Sequence, residues 1–254
     1  MSTKSDAALA GHLAREAGEL LLHVRAGAER GRELGAAGDL RSNELLLRRL
    51  ADERPADAVL SEEAADDQVR LAAERVWIID PLDGTREYGE PPRNDWAVHV
   101  ALWEAGRLTA GAVALPALGV VHCSDPPSLL PARRPGRLRV AVSRSRPPQF
   151  VEALAEELDA ELVPMGSAGY KAAAVLRAEV DAYIHAGGQY EWDSAAPVAV
   201  CQAAGLHCSR VDGTGLRYNQ PDPLLPDLLV CRPEIAGLLL AAVAASSTND
   251  VSVA

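Results

Sequence analysis

Val76-Trp77-Ile78-Ile79-Asp80-Pro81-Leu82-Asp83-Gly84-Thr85 is the stretch whose reading decides this chain. Four consecutive apolar residues, three of them β-branched, read as a buried strand. Two carboxylates three residues apart stand where that strand ends, and a glycine and a hydroxyl follow at once. Strand ends are where α/β proteins place their chemistry. Carboxylate oxygens suit hard divalent cations such as Mg²⁺. The Gly-Thr step offers backbone N–H groups and a hydroxyl to a phosphate oxygen. Metal and anion sites on one turn point to phosphate chemistry.

Working outward, Leu9, Leu13, Ala17, Leu20, Leu21 and Val24 recur at helical spacing over 6–26. The Gly-rich, charged stretch 26–39 reads as a mobile loop. A second helix fits 43–53, with Ser42 or Asn43 as its N-cap. Residues 58–60 form a short strand running into Ser61-Glu62-Glu63. Residues 96–103 and 108–115 read as strands around a turn, and 120–122 as another. The stretch 126–135, with four prolines and two arginines, reads as a linker. Beyond it, strands at 138–142, 161–163, 182–185 and 228–230 alternate with helices at 149–158, 168–177, 193–204 and 233–243. Pro197 falls in the first turn of the helix expected at 193–204, where it is tolerated. This alternation predicts a layered α/β core in two halves, an N-terminal α+β half over 1–135 and a C-terminal α/β half over 136–254.

The 254 residues carry a net charge of -11, which argues against a broad basic face for a nucleic-acid polymer. An anion must therefore be bound locally, by metals, helix N-termini or a few arginines. The polar N-terminus has no signal-type apolar core, and the apolar run 235–245 is too short to span a bilayer. Cys123, Cys201, Cys208 and Cys231 show no CxxC or disulfide-dense spacing, so free thiols in a cytoplasmic protein are expected, with no membrane partner.

Three acidic clusters stand out: Glu62 with Glu63, Asp80 with Asp83, and Glu191 with Asp193. Singly each has a bland reading, Asp193 as a helix cap and Glu62-Glu63 as a solvated turn. Together, Ser-Glu-Glu, Trp-Ile-Ile-Asp-Pro-Leu-Asp-Gly-Thr and Trp-Asp-Ser-Ala-Ala-Pro resemble the inositol monophosphatase superfamily over nearly the whole chain. The resemblance implies a layered αβαβα sandwich of the inositol monophosphatase/fructose-1,6-bisphosphatase type. It also implies a lithium-sensitive phosphatase using two or three Mg²⁺ ions, assembled as a homodimer. On that resemblance Glu62 ligates the first metal, Asp80 bridges two, Leu82 offers its carbonyl, and Asp83 and Asp193 complete the second site. Thr85 orients the attacking water, Gly84 and Thr85 grip phosphate oxygens through their amides, and Glu63 lies behind the ligands. One departure matters. The family has an aspartate before the second helix, paired with the motif threonine. The best-aligned residue here is Asn43, which cannot act as a base. Asp39 nearby, or Glu62, is left to take that part.

Arg86-Glu87-Tyr88 and the run 95–101 resemble the CysQ-like bisphosphate nucleotidase branch. That branch removes the 3'-phosphate of 3'-phosphoadenosine 5'-phosphate to give AMP, in sulfate assimilation. A second phosphate needs further cations, and Arg144 and Arg146 are candidates. Gly166-Ser167-Ala168-Gly169-Tyr170-Lys171 resembles the family's substrate loop, where the backbone and Lys171 meet the ligand together with Asp193. Arg217-Tyr218-Asn219 offers a flank for a base. Inositol 1-phosphate or fructose 1,6-bisphosphate is the alternative substrate. A non-catalytic phosphate-binding regulator is the remaining alternative, against which the intact Glu62, Asp80, Asp83, Thr85 and Asp193 set argues.

Overall fold

The motif strand β2 (Arg75–Asp83) is buried along its length because both its faces are covered. It sits in a five-stranded sheet between β1 (Ala58–Ser61), parallel to it, and β3 (Ala97–Glu104), antiparallel. β4 (Arg107–Leu115) and β5 (Val120–Cys123) complete the order β1-β2-β3-β4-β5. Alternate residues of β2 serve two cores, as the period of a strand requires. Trp77 and Ile79 pack against α1 (Asp6–Arg25) and α2 (Gly31–Glu53). Val76 and Ile78 pack against α5 (Ala168–Leu176) and α6 (Glu191–Ala203).

The computed structural model describes residues 4–250 except 67, 146 and 148. Its second sheet has the order β7-β6-β8-β10-β9. β6 (Arg139–Ser143) and β7 (Glu161–Met165) are parallel, as are β6 and β8 (Ala182–Tyr190). β9 (His207–Ser209) and β10 (Leu224–Cys231) join antiparallel. α5 and α6 share a core with the inner faces of both sheets, while α4 (Gln149–Glu157) and α7 (Pro233–Asp250) cover the outer face of the second. A four-residue helix, α3 (Thr85–Tyr88), follows the motif. The layers run αβαβα, as the family resemblance implies. Among the described residues no helix is long and apolar enough to cross a membrane.

The expected loop over 26–39 is corrected: the chain is helical from Gly31. Its glycines are contact points, because a Cβ on Gly35 would lie 2.7 Å from Thr85 Cγ2 and one on Gly38 2.8 Å from Tyr88 Cε1. Ser42 and Asn43 are therefore not caps. Mid-helix Ser42 Oγ donates to Pro81 O at 2.7 Å, and Asn43 Oδ1 accepts from Ser61 Oγ at 2.8 Å, clamping α2 to β1 and β2. The helix expected from 193 begins at Glu191, so Pro197 lies inside it rather than in its first turn. β8 runs on to Tyr190, and the three-residue β9 was not expected. The stretch 126–135 holds no helix or strand.

β4 and α6 meet so closely that a Cβ on Gly111 would lie 2.5 Å from Ala199 Cβ. Gly111→Ala should therefore destabilise the fold by about 1–3 kcal/mol through overpacking, read as a lower thermal midpoint. An unchanged midpoint would refute the tight β4–α6 contact.

Candidate active site

A bulge gathers the motif carboxylates. Asp80 pairs with His99 and Asp83 with Ala97, so β2 spends one residue more than β3 between these points. In a regular strand residues three apart face opposite ways. The extra residue turns Asp83 to the face of Asp80, toward α6 and Asp193. One oxygen from each of Asp80, Asp83 and Asp193 lies within 4.8 Å of the others.

Each of these carboxylates has one oxygen held by the protein. Asp80 Oδ1 accepts from Leu82 N at 3.0 Å and Asp193 Oδ2 from Tyr190 N at 2.7 Å. Asp83 Oδ2 accepts from Gly169 N at 2.7 Å and from the Ser167 hydroxyl. Asp80 also shares a hydrogen bond with the Glu62 side chain, and such outer support is what orients metal-binding carboxylates. Glu62, just past β1, faces the same cluster. Glu62 is exposed at its outer edge, yet desolvation by the surrounding protein, then the charges of Asp193 and Asp83, push it up to about 8. Burial and Asp83 push Asp193 up to about 7, and burial with Glu62 and Asp83 drives Asp80 well above the usual carboxylate range. Asp83 is the exception. Burial is outweighed there by His99, Lys171 and the Ser167 hydroxyl, which hold it at about 2. An all-oxygen set of crowded carboxylates that resist ionising together fits a hard divalent cation.

Thr85 Oγ1 lies 3.2 Å from Asp39 Oδ1 and 3.1 Å from Leu82 O. Thus Asp39, not Asn43, meets the motif threonine. The linear alignment was one helical turn out along α2. Burial, then Glu63, pushes the Asp39 carboxyl up to about 7 against the Thr85 hydrogen bond. Asp39 and Thr85 line a cavity of about 720 Å³ with Gly31, Arg32, Ala36, Arg86 and Glu90. Gly84 adopts φ +85°, the left-handed conformation that starts the turn after Asp83.

Other expected residues are placed differently. Lys171 is buried, with Nζ 2.7 Å from Ser167 O and 3.3 Å from Gly166 O and lying over the Tyr183 ring. It supports the loop from beneath. Gly166 N donates to Asp95 Oδ2 at 2.7 Å. Arg144 spends its guanidinium on Glu87 Oε1, at 2.7 Å from Nη2, and on Glu90. Arg146 lies outside the described residues. In the branch marker only Arg86 faces the cavity; Tyr88 is buried, its hydroxyl donating to Leu21 O. Arg217 is exposed beside a second cavity, while Tyr218 and Asn219 are buried, Asn219 against Arg70. His99 is an unforeseen member of the site. Its Nε2 lies 3.2 Å from Asp83 Oδ2 and its Nδ1 3.0 Å from Trp192 O. Burial alone would lower its pKa, but Asp83 raises it above the ordinary value. Its only sequence signal is a polar residue between Ala97 and Ala101 on the buried face of β3.

The model of the inositol monophosphatase family matches residues 3–248. The chain belongs to this family. A protein of Mycobacterium tuberculosis called 3'-phosphoadenosine 5'-phosphate phosphatase is 57% identical over 239 residues, 90% of each chain. One of the same name from Mycobacterium leprae is 56% identical over 250 residues, 93% of this chain and 92% of that one. The crystal structure of CysQ from Bacteroides thetaiotaomicron, described as a bacterial member of the family, superposes with a TM-score of 0.76 at 25% identity. That match covers 89% of this chain and 97% of the other.

The raised carboxylates set a pH dependence. A carboxyl group whose pKa is higher folded than unfolded is stabilising while protonated, and that contribution is lost as pH rises through the folded value. For Asp193 at about 7 and Glu62 at about 8, the metal-free family member should lose thermal stability from about pH 5 to about pH 8. Magnesium chloride should raise the midpoint, more at the upper end of that window. A midpoint insensitive to magnesium at every pH would contradict a cation site.

Proposed function

We propose that this protein is a Mg²⁺-dependent phosphomonoesterase that hydrolyses the 3'-phosphate of 3'-phosphoadenosine 5'-phosphate to AMP and phosphate. The observation that carries the reading is the convergence of Asp80, Asp83 and Asp193, each with one oxygen tethered by a backbone amide, beside the Thr85–Asp39 pair. The mycobacterial relatives at 56–57% identity support the choice of substrate.

Asp80, Asp83, Asp193 and Glu62, with the Leu82 carbonyl, would hold the cations, which would supply positive charge to the phosphoryl oxygens and acidify the attacking water. The Thr85 hydroxyl has one proton and two acceptors within reach. Given to the Asp39 carboxylate, it leaves the Thr85 lone pairs to accept a proton of the water and aim its oxygen at phosphorus. The amides of Gly84 and Thr85 receive phosphate oxygens, and Arg86 at the cavity wall adds a local cation to an acidic protein. As the water oxygen adds to phosphorus its proton passes by way of Thr85 to Asp39, the bond from phosphorus to the ribose 3'-oxygen breaks, and that oxygen takes a proton from solvent water to leave as the hydroxyl of AMP. Asp83 stays ionised through His99 and the entry of α5, and so remains a ligand when its neighbours are protonated.

The site lies between the two halves, residues 1–135 and 136–254, as ligand sites often do. We read the protein as cytoplasmic from its free thiols, and as a homodimer as the family resemblance implies.

Hydrolysis of 3'-phosphoadenosine 5'-phosphate with Mg²⁺ should exceed that of inositol 1-phosphate and fructose 1,6-bisphosphate by about a hundredfold in kcat/KM, about 2.7 kcal/mol of differential transition-state binding. Comparable values would make the enzyme a generalist and remove the nucleotidase reading. Asp39→Asn should lower kcat by about 10²- to 10⁴-fold with KM nearly constant. A wild-type kcat would show that Asp39 plays no part in water activation.

A further inference from the structure

Tyr190 closes β8 and opens α6, three residues before Asp193. Its backbone N–H donates to Asp193 Oδ2 at 2.7 Å, so the main chain that fixes the carboxylate also fixes the ring's root. The ring lies almost flat on Trp192, with centroids 4.8 Å apart and planes 11° from parallel. Trp192 is in turn tied to the site by its carbonyl, 3.0 Å from His99 Nδ1.

Tyr190 is 41% exposed, the only large aromatic ring among the described residues left so open. Aromatic residues make up only 4% of the chain. Tyr88, Tyr183, Tyr218, Trp77 and Trp96 are all buried. Among the described residues Trp192 is the one ring that Tyr190 touches. A ring stacked on one side and 41% exposed keeps area open to a second stacking partner. Successive bases stack on such rings, and an aromatic side chain pre-stacked on a second ring costs little to order. The alternative substrates, inositol and fructose phosphates, carry no π-system to meet it.

We propose that the Tyr190–Trp192 stack is the platform on which the nucleobase of the substrate lies, and that it selects nucleotides over sugar phosphates. The inference rests on the nucleotidase reading above and deepens it by naming the residue that sees the base. The bond from Tyr190 N–H to Asp193 roots the platform beside the phosphate-binding cluster. Tyr190 is thus a binding residue for the base of the leaving nucleotide and takes no part in the proton transfers at Thr85.

The test compares Tyr190→Phe, Tyr190→Leu and Tyr190→Ala with wild type. It reads kcat and KM for 3'-phosphoadenosine 5'-phosphate and the inhibition constant of inorganic phosphate, a product with no base. Loss of one stacked base should raise the nucleotide KM about 5- to 150-fold in the Leu and Ala variants. In those variants kcat and phosphate inhibition should stay within about twofold, and Tyr190→Phe should behave as wild type. An unchanged nucleotide KM in Tyr190→Leu would overturn the proposal and leave the ring a cover for Trp192. An equal loss for nucleotide and phosphate would overturn it too, showing that the residue only holds Asp193. A wild-type enzyme inactive on the nucleotide would remove the functional reading and the platform with it.

Discussion

Mutual repulsion among carboxylates crowded around two buried aspartates, Asp80 and Asp83, is the constraint on which the rest of the molecule turns. Asp80, Asp83 and Asp193 crowd within 4.8 Å, and Glu62 faces them. Charges at such spacing in a low-dielectric interior repel strongly. The fold tolerates them by supplying one tether to each and by ionising one preferentially. Asp83 receives the Ser167 hydroxyl, the Gly169 amide and His99. Its neighbours are pushed toward the neutral acid until a cation arrives. The arrangement is poor for stability and good for a reaction that needs concentrated positive charge.

That constraint explains why the layers are ordered as they are. The bulge in β2 supplies two carboxylates from one sheet, and α6 supplies the third from the layer between the sheets. α5 enters beside them so that its first amides and Ser167 meet Asp83. A Cβ on Gly169 would lie 2.0 Å from His99 Nε2, so the glycine makes room for the imidazole. On the opposite side, Gly35 and Gly38 let α2 lie against Thr85, Leu82 and Tyr88. Asp39, one turn later, then reaches the threonine. Close backbone approach, bought with glycine, is the common device.

The layered fold and the carboxylate cluster were legible because their signals are local. β2 is apolar on both faces, and Asp80, Asp83 and Asp193 stand in short motifs. What was not legible depended on contacts distant in sequence. Gly35 and Gly38 look like loop formers in isolation and are helix-packing residues once β2 and α3 are beside them. Asn43 and Asp39 differ by one helical turn, and only the folded α2 shows which meets Thr85. Arg144 and Lys171 look available for a ligand. Arg144 is engaged by Glu87, 57 residues away, and Lys171 by the loop carbonyls above it. His99 is marked locally only as a polar residue on a buried face, because its partners lie on β2 and α6.

The most direct measurement is anomalous diffraction from crystals soaked in Mn²⁺, which replaces Mg²⁺ at oxygen sites. The account predicts anomalous peaks at the carboxylates of Asp80, Asp83 and Asp193, at about 2.1 Å from an oxygen of each, with the tethers to Leu82, Gly169 and Tyr190 kept. Peaks only elsewhere, with the three carboxyl groups bonded to one another through shared protons, would contradict it.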